Sequence, residues 1–198
     1  MNLPETYLNF HTHHPLASGE DTIPSFGLHP WYLSDRWQED LDEIVQNRDC
    51  SARFLIGECG LDRVCTTPYD RQLSAFEAQI ALSEQWQRPL VLHCVRAFDD
   101  VLRLKRGTHQ PWIYHGFRGK PQQLEQLLAH GFYVSFGFQH HAESLRICPA
   151  ERLFLETDDR PEPIAPLYEQ VAQHRKTTTA ALREQLWHNV ERIFQSVF

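Results

Sequence analysis

Side chains of the types that bind metal recur at the ends of short apolar runs in this 198-residue chain. Asn9-Phe10-His11-Thr12-His13 closes the first run and Leu55-Ile56-Gly57-Glu58 another. Leu90-Val91-Leu92-His93, Trp112-Ile113-Tyr114-His115 and Leu153-Phe154-Leu155-Glu156-Thr157-Asp158 follow. Imidazoles and carboxylates together suit zinc, manganese or iron, and less strictly magnesium. His11 and His13 share one face if they lie on a strand and can then reach one ion, although the same spacing fits a surface or core pair. His14, next along, points away. Glu58 is flanked by Gly57 and Gly60, which let backbone approach closely, but a strand-end glutamate is often simply solvated. His93 and His115 each read, alone, more readily as structural histidines than as ligands. Asp158 reads alone as an N-cap, yet Pro161, Pro163 and Pro166 disfavour a helix directly after it. Six such residues at corresponding places point to a metal-dependent hydrolase. They exceed what one tetrahedral ion needs, so two ions sharing a carboxylate fit better.

The elements that would position these residues alternate. Strand-like runs are expected at Tyr7–Phe10, Ser25–Leu28, Arg53–Ile56, Pro89–His93, Trp112–His115, Phe132–Phe136 and Leu153–Leu155, with a turn-rich stretch over residues 14–25. Helices are expected at Asp35–Asn47 with Ser34 as N-cap, Asp70–Trp86, Ala97–Arg106, Pro121–His130 stopped by Gly131, Ile164–His174 and Thr179–Phe194. Strands alternating with helices of this length imply βαβ units and a parallel sheet, and unbroken runs such as Pro-Leu-Val-Leu suit strands buried on both faces. In a parallel α/β barrel the strand ends converge on one face, which holds the active site.

Composition sets the outer bounds. Apolar residues make up 41% and charged residues 23%, with 12 prolines, a profile of one globular domain spanning residues 1–198. No apolar run approaches the roughly 20 residues needed to span a bilayer. The opening MNLPETYLNF lacks the basic and apolar regions of a secretory signal, so a cytoplasmic location is expected. Cys50, Cys59, Cys65, Cys94 and Cys148 form an odd set without a CxxC pair and read as reduced, buried small hydrophobes. The net charge of −7 is uneven, with −8 over residues 1–62, +4 over 63–120 and −3 over 121–198. An acidic chain is not a generic nucleic-acid binder, and a phosphate-bearing substrate would need the middle segment and bound metal to offset repulsion.

The ordered set His11-Thr12-His13, Gly27-Leu28-His29-Pro30, Ile56-Gly57-Glu58-Cys59-Gly60-Leu61-Asp62, Pro89-Leu-Val-Leu-His93, His115-Gly-Phe-Arg-Gly119 and Leu155-Glu156-Thr157-Asp158 resembles the TatD family, as does the stretch QLSAFEAQIAL from Gln72 to Leu82. The resemblance covers nearly the whole chain. It implies an α/β fold, a TIM-type (β/α) barrel of the amidohydrolase-like kind, and a metal-dependent deoxyribonuclease activity. It also implies His11, His13 and Asp158 on one metal, His93 and His115 on the other, and Glu58 bridging them. The chain is shorter than the roughly 250 residues a TIM barrel typically takes. Only 13 residues separate His13 from Gly27, so one βα unit is expected to be shortened or missing, leaving a seven-stranded or distorted barrel. Val95 stands where the family has an arginine, with Arg96 one place on. His115-Gly-Phe-Arg-Gly replaces the usual His-Cys-Phe-Ser-Gly, and Asp159 follows Asp158 where a small residue is usual.

The expected chemistry is phosphodiester hydrolysis by a metal-activated water, with one or two divalent ions (Zn, Mn or Mg) as cofactors. Asp158 would orient the water and take its proton, Glu58 would hold metal, and Glu156 would serve as second base or hydrogen-bonding partner. Arg96, Arg118 and Arg63 are candidate phosphate clamps, each equally readable as solvated surface. His29 could contact substrate or simply precede the turn at Pro30. DNA or a short oligonucleotide is the expected partner, with neither membrane nor protein partner implied. The alternatives are a hydrolase of a small phosphoester, lactone or amide on the same centre, and a non-catalytic metal-binding module.

Overall fold

A computed structural model describes residues 4–47 and 53–195. The elements run β1 (Tyr7–Leu8), β2 (Glu20–Asp21), β3 (Ser25–Phe26), α1 (Trp37–Asn47), β4 (Leu55–Asp62), α2 (Tyr69–Trp86), β5 (Leu90–Val95), α3 (Phe98–Lys105), β6 (Trp112–Tyr114), α4 (Pro121–Ala129), β7 (Tyr133–Phe136), α5 (Ala142–Ile147), β8 (Leu153–Leu155), α6 (Ala165–Arg175) and α7 (Thr179–Gln195). Short 3-10 turns occupy Pro30–Tyr32 and Ala150–Arg152. The chain forms two compact units, Met1–Ile23 with His115–Gln195, and Pro24–Tyr114. Among the described residues no helix is long and apolar enough to cross a membrane. Cys50 lies outside the described residues, and Cys59, Cys65, Cys94 and Cys148 are free.

In the Pro24–Tyr114 unit, β3, β4, β5 and β6 pair side by side, every pair parallel. All of β4 is buried, and Leu90, Val91, Leu92, Trp112 and Ile113 are sealed from water. Such continuous apolar runs are what a strand covered on both faces requires. Helix α2 packs Ala75 and Phe76 inward, and the Phe76 ring meets Trp112 edge-on at 5.5 Å.

The other unit has two parallel pairs, β1 with β2 and β7 with β8. Backbone pairing continues past the ends of β1 and β8: Phe10 N–H donates to Leu155 O at 2.9 Å, and Thr12 bridges in parallel to Asp158. Phe10 stacks on Phe154 at 4.2 Å in the core. Helices α6 and α7 cover this core with Leu167, Val171, Leu186, Val190 and Ile193. Two polar side chains tie helix to strand, Tyr168 donating to Leu8 O at 2.9 Å and Asn189 to Leu153 O at 2.8 Å.

Four sequence expectations need correction. The stretch 14–25 contains β2, whose two charged residues carry no apolar pattern that would announce a strand. Eight strands are therefore present among the described residues, the second one stunted, and no helix separates β1, β2 and β3. Strand β4 does not end at Ile56 but continues to Asp62 through a bulge, because Ile56 pairs with Leu90 and Cys59 with Leu92, three steps against two. Ser34 does not cap α1 directly: its hydroxyl accepts the Arg36 N–H at 3.0 Å and donates to Asp40 at 2.6 Å, closing a turn ahead of the helix. Helix α5 was not expected, being six residues long and too short to show a period.

The bulge depends on two glycines. Gly57 has φ +130° and Gly60 φ +147°, where a side chain is strained. A Cβ on Gly57 would collide with the Val91 carbonyl, and one on Gly60 with the His93 carbonyl. Gly60→Ala is expected to cost at least ~2 kcal/mol of stability. Gly107→Ala has φ +82° but open space around it, and is expected to cost about 1 kcal/mol. Urea denaturation midpoints of the two variants check the difference.

Candidate metal centre

Each unit gathers its own cluster of imidazoles and carboxylates. In the unit of β1 and β8, backbone register does the gathering. His13 N–H donates to Asp158 O at 2.9 Å and Asp158 N–H donates to His11 O at 3.0 Å. These two bonds flank Thr12 and set three ligand-type side chains beside one another. His13 Nε2 lies 3.6 Å and His11 Nε2 4.0 Å from Asp158 Oδ1. The His11 and His115 rings meet at 4.8 Å, and ligand atoms of His11, His115 and Asp158 all lie within 4.8 Å of one another. Asp158 itself adopts φ +57°, a left-handed conformation that aspartate tolerates better than most residues.

Glu156 sits behind this cluster, fully buried. One carboxylate oxygen accepts the Gly116 N–H and faces His115 Nδ1 at 3.3 Å, while the other, Oε2, has no hydrogen-bond partner. Burial alone would raise its pKa, but the His115 and His11 imidazoles outweigh that and hold it below the ordinary carboxylate value. An ionised Glu156 accepts the Nδ1 proton of His115 and leaves Nε2 with the lone pair, the arrangement by which a carboxylate readies a histidine for metal. His14 turns away, its Nε2 2.8 Å from Asp159 O.

In the other unit the bulge places Glu58 against His93, with Oε1 2.7 Å from His93 Nδ1. His29 Nε2 is 3.1 Å from the same oxygen. Because His29 Nδ1 accepts the Trp31 N–H at 3.1 Å, its ring proton belongs on Nε2. His29 therefore donates to Glu58 and orients it. His93 carries a second carboxylate on its far side, Asp62 Oδ2 at 3.3 Å from Nε2. Asp62 is almost fully buried. It accepts the Trp31 indole N–H at 2.6 Å and the Val64 and Cys65 N–H groups at 2.7 and 3.2 Å. Burial pushes its pKa up, but Trp31, Val64 and His93 outweigh this and the net shift is down.

His93 thus lies between two acceptors. A neutral imidazole has one proton for both, so at the Glu58 edge the His29 Nε2–H, 3.1 Å from Glu58 Oε1 and 3.3 Å from His93 Nδ1, is shared between two acceptors when Asp62 holds the His93 proton. Glu58 and His93 would hold a divalent ion there, with Asp62 fixing the His93 proton on Nε2. The orphaned Oε2 of Glu156 and the mixed imidazole–carboxylate donor sets agree with such a cation. The residues present fit divalent metal in both clusters.

Two buried glutamines of α2, on one face at i and i+7, hold the loops that carry this second cluster. Gln79 accepts Leu28 N–H at 2.7 Å and donates to Leu28 O at 3.2 Å, fixing the residue before His29. Gln72 accepts Asp62 N–H at 2.7 Å and donates to Asp62 O at 3.0 Å.

Of the arginines expected to clamp phosphate, Arg118 lines a cavity of about 350 Å³ together with Glu156 and Asp158. Arg160 and Gln139, missed in the sequence, line it too. Arg63 is paired with Asp100 at 2.6 Å and lies 4.1 Å over the Tyr69 ring. Arg96 is exposed just past β5. Cys59 is a sealed hydrophobe, its thiol donating to Val91 O at 3.7 Å and its pKa pushed well up by burial.

Residues 6–195 match the family described as TatD related DNase. The chain belongs to that family. A TatD relative from Pantoea sp. (strain At-9b), named a 3'-5' ssDNA/RNA exonuclease, is 30% identical over 203 residues, 85% of this chain and 76% of that one. One of the same name from Edwardsiella piscicida is 35% identical over 153 residues, spanning 67% of this chain and 55% of that one. A solved TatD-family hydrolase from Entamoeba histolytica superposes with a TM-score of 0.77 at 17% identity, covering 90% of this chain and 76% of that one. That likeness shows the fold, a TIM-type α/β barrel, here in a shortened form. TatD proteins are metal-dependent hydrolases, and this chain shares the enzyme class.

Asp62→Asn would turn an acceptor into an amide donor facing Trp31 N–H and the His93 Nε2 proton. Divalent-metal affinity, read by calorimetric titration, is expected to fall roughly 10- to 100-fold.

Proposed function

We propose that this chain is a metal-dependent phosphodiesterase that removes nucleotides from the 3' end of short single-stranded DNA or RNA. The observation that carries the reading is the pairing in each cluster of a histidine with a buried carboxylate on its outer nitrogen, Glu156 on His115 and Asp62 on His93. That arrangement prepares a metal ligand and has little use in a merely structural histidine. The names of the TatD relatives support the substrate class.

On this reading His11, His13, His115 and Asp158 hold metal in one unit, and Glu58 and His93 in the other, with His29 orienting Glu58. Imidazole-rich sets favour zinc or manganese over magnesium. A divalent ion held there supplies Lewis-acid chemistry, making water a stronger acid and drawing charge off the phosphate. The protein's own groups do the rest. Arg118 and Arg160 offer guanidinium forks to non-bridging oxygens at the cavity beside Asp158. Asp158, with 26% of its side chain exposed, is the carboxylate that a water can reach, so it orients the nucleophile and takes its proton. Glu156, sealed from water, serves instead as the partner that fixes His115. The net charge of −7 favours short strands over long duplex, since there is no broad basic field to hold a polyanion.

Stripping metal with EDTA should abolish nucleotide release from a single-stranded oligonucleotide, and Mn, Zn or Mg should restore it. Asp158→Ala and His93→Ala, loaded with metal, should each lose roughly 10²–10⁴-fold in kcat, with the melting curve of the partly exposed Asp158→Ala close to wild type. Wild-type turnover by loaded Asp158→Ala would sink the assignment. Hydrolysis of small phosphoesters or lactones with no action on oligonucleotides would overturn the substrate class alone.

A further inference from the structure

Beside the Glu58–His93 cluster the surface carries aromatic rings that nothing in the fold requires to be exposed. Trp31 is 52% exposed, Tyr32 78% and Val64 60%. An exposed apolar side chain alone is unremarkable, but these three are neighbours, and Trp31 is not free to swing. Its indole N–H is held on Asp62 at 2.6 Å, and its ring meets the His29 and His93 imidazoles edge-on at 5.0 and 5.8 Å. Tyr32 stands at 72° to it with centroids 6.4 Å apart, and packs in turn against His29 at 5.4 Å. The two rings make a corner rather than a parallel slot. Beside Trp31 opens a cavity of about 340 Å³ lined by Asp62 and Val64, within the range that takes a small ligand.

We propose that Trp31 and Tyr32 form a nucleobase-stacking subsite, which seats the base of the nucleotide whose phosphate is engaged at His93 and Glu58. This rests on the nuclease reading and adds to it the part of the substrate that the platform holds. The occupant follows from the chemistry. A planar base gains from stacking on a pinned ring regardless of its identity. Trp31 is continuous with the metal-ligand cluster through Asp62 and His93, within one nucleotide's reach of a phosphate there. The corner geometry puts one ring under the base and the other against its edge, an arrangement aromatic pairs favour. Because Trp31 is fixed by Asp62 before substrate arrives, little ordering entropy is lost when a base lands on it. Sequence-tolerant binding with a requirement for an unpaired base is the consequence, since a base inside a duplex has no free face.

The test compares two short single strands with phosphorothioate linkages, one ending in a normal 3' nucleotide and one in an abasic 3' residue. Binding to the full chain is read by fluorescence anisotropy with Mg²⁺ present. Wild-type protein should bind the base-bearing strand roughly five- to hundredfold tighter. Tyr32→Ala and Trp31→Ala should bring that ratio toward one, and Tyr32→Phe should keep it. Tyr32 is largely exposed, so Tyr32→Ala tests the idea even if Trp31→Ala fails to fold. Equal affinity of wild type for the two strands would overturn the proposal, as would a ratio unchanged in Tyr32→Ala. Concentration-dependent dimerisation that Tyr32→Ala abolishes, without base discrimination, would assign the patch to a second copy and overturn it too. Cleavage without base discrimination removes the subsite and leaves the nuclease reading standing. Discrimination without cleavage of the matching phosphodiester strand upholds the subsite and removes the nuclease reading.

Discussion

A carboxylate shut away from water must find protons or cations to face, and three of them dictate the local architecture of this protein. Glu58, Asp62 and Glu156 are all buried. Leaving any one unpaired would cost several kcal/mol. Each is met by an imidazole from a sequence-distant segment, and Asp62 and Glu156 by N–H groups as well. Glu156 takes His115 and the Gly116 N–H, Asp62 takes Trp31, Val64 and His93, and Glu58 takes His29 and His93. The same pairings that make burial tolerable also fix which nitrogen keeps its lone pair in His115 and His29, and set two carboxylates in competition for the proton of His93. Stability of the strand ends and readiness for metal are one requirement satisfied once.

The second cluster has a further support in α2. Buried glutamine side chains are costly unless both amide ends are satisfied. Gln72 and Gln79 grip Asp62 and Leu28 through N–H and C=O together, and spend their second amide hydrogens on Thr67 O and Ala75 O. A helix is stiffer than a loop, so this transfers the rigidity of α2 to the segments bearing His29 and Asp62. Gly57 and Gly60 complete the arrangement by letting β4 bulge and close on β5, which turns Glu58 toward His93.

Much of this was legible in the sequence, and what was not has physical causes. Long amphipathic helices such as α2 and α7 announce themselves, because a 3.6-residue period repeats many times within them. Two-residue strands such as β2 and the six-residue α5 carry no repeat to read. The ligand-type residues at His11, His13, Glu58, His93, His115 and Asp158 stand out because polar groups at the ends of apolar runs demand a reason. Where Glu58 sits does not stand out: a bulge changes which face a residue points to, and sequence alternation cannot register an extra residue. Asp62 ends the Gly57–Asp62 motif, four after Glu58, but its role is hidden because its partners Trp31 and His93 each lie 31 positions away. Trp31 carries no signal of its own in the sequence, because the bond that matters joins it to a residue 31 positions away.

Water access then separates residues of identical chemistry into different roles. A group that accepts a proton during hydrolysis must return it to solvent before the next turnover, so it needs a path to water. Asp158 has 26% of its side chain exposed and His13 beside it 53%, which gives that path. Glu156, one residue before Thr157 on the same extended segment, has none. Its Oε2 is shut off from solvent with only the Ser135 hydroxyl near it, and a proton taken there would have to leave through His115. The two carboxylates differ by two positions in sequence and by their whole relation to solvent. The alternation of the backbone at the end of β8 carries both to the cavity that Arg118 and Arg160 line, while the left-handed turn at Asp158 leaves only the second in contact with water.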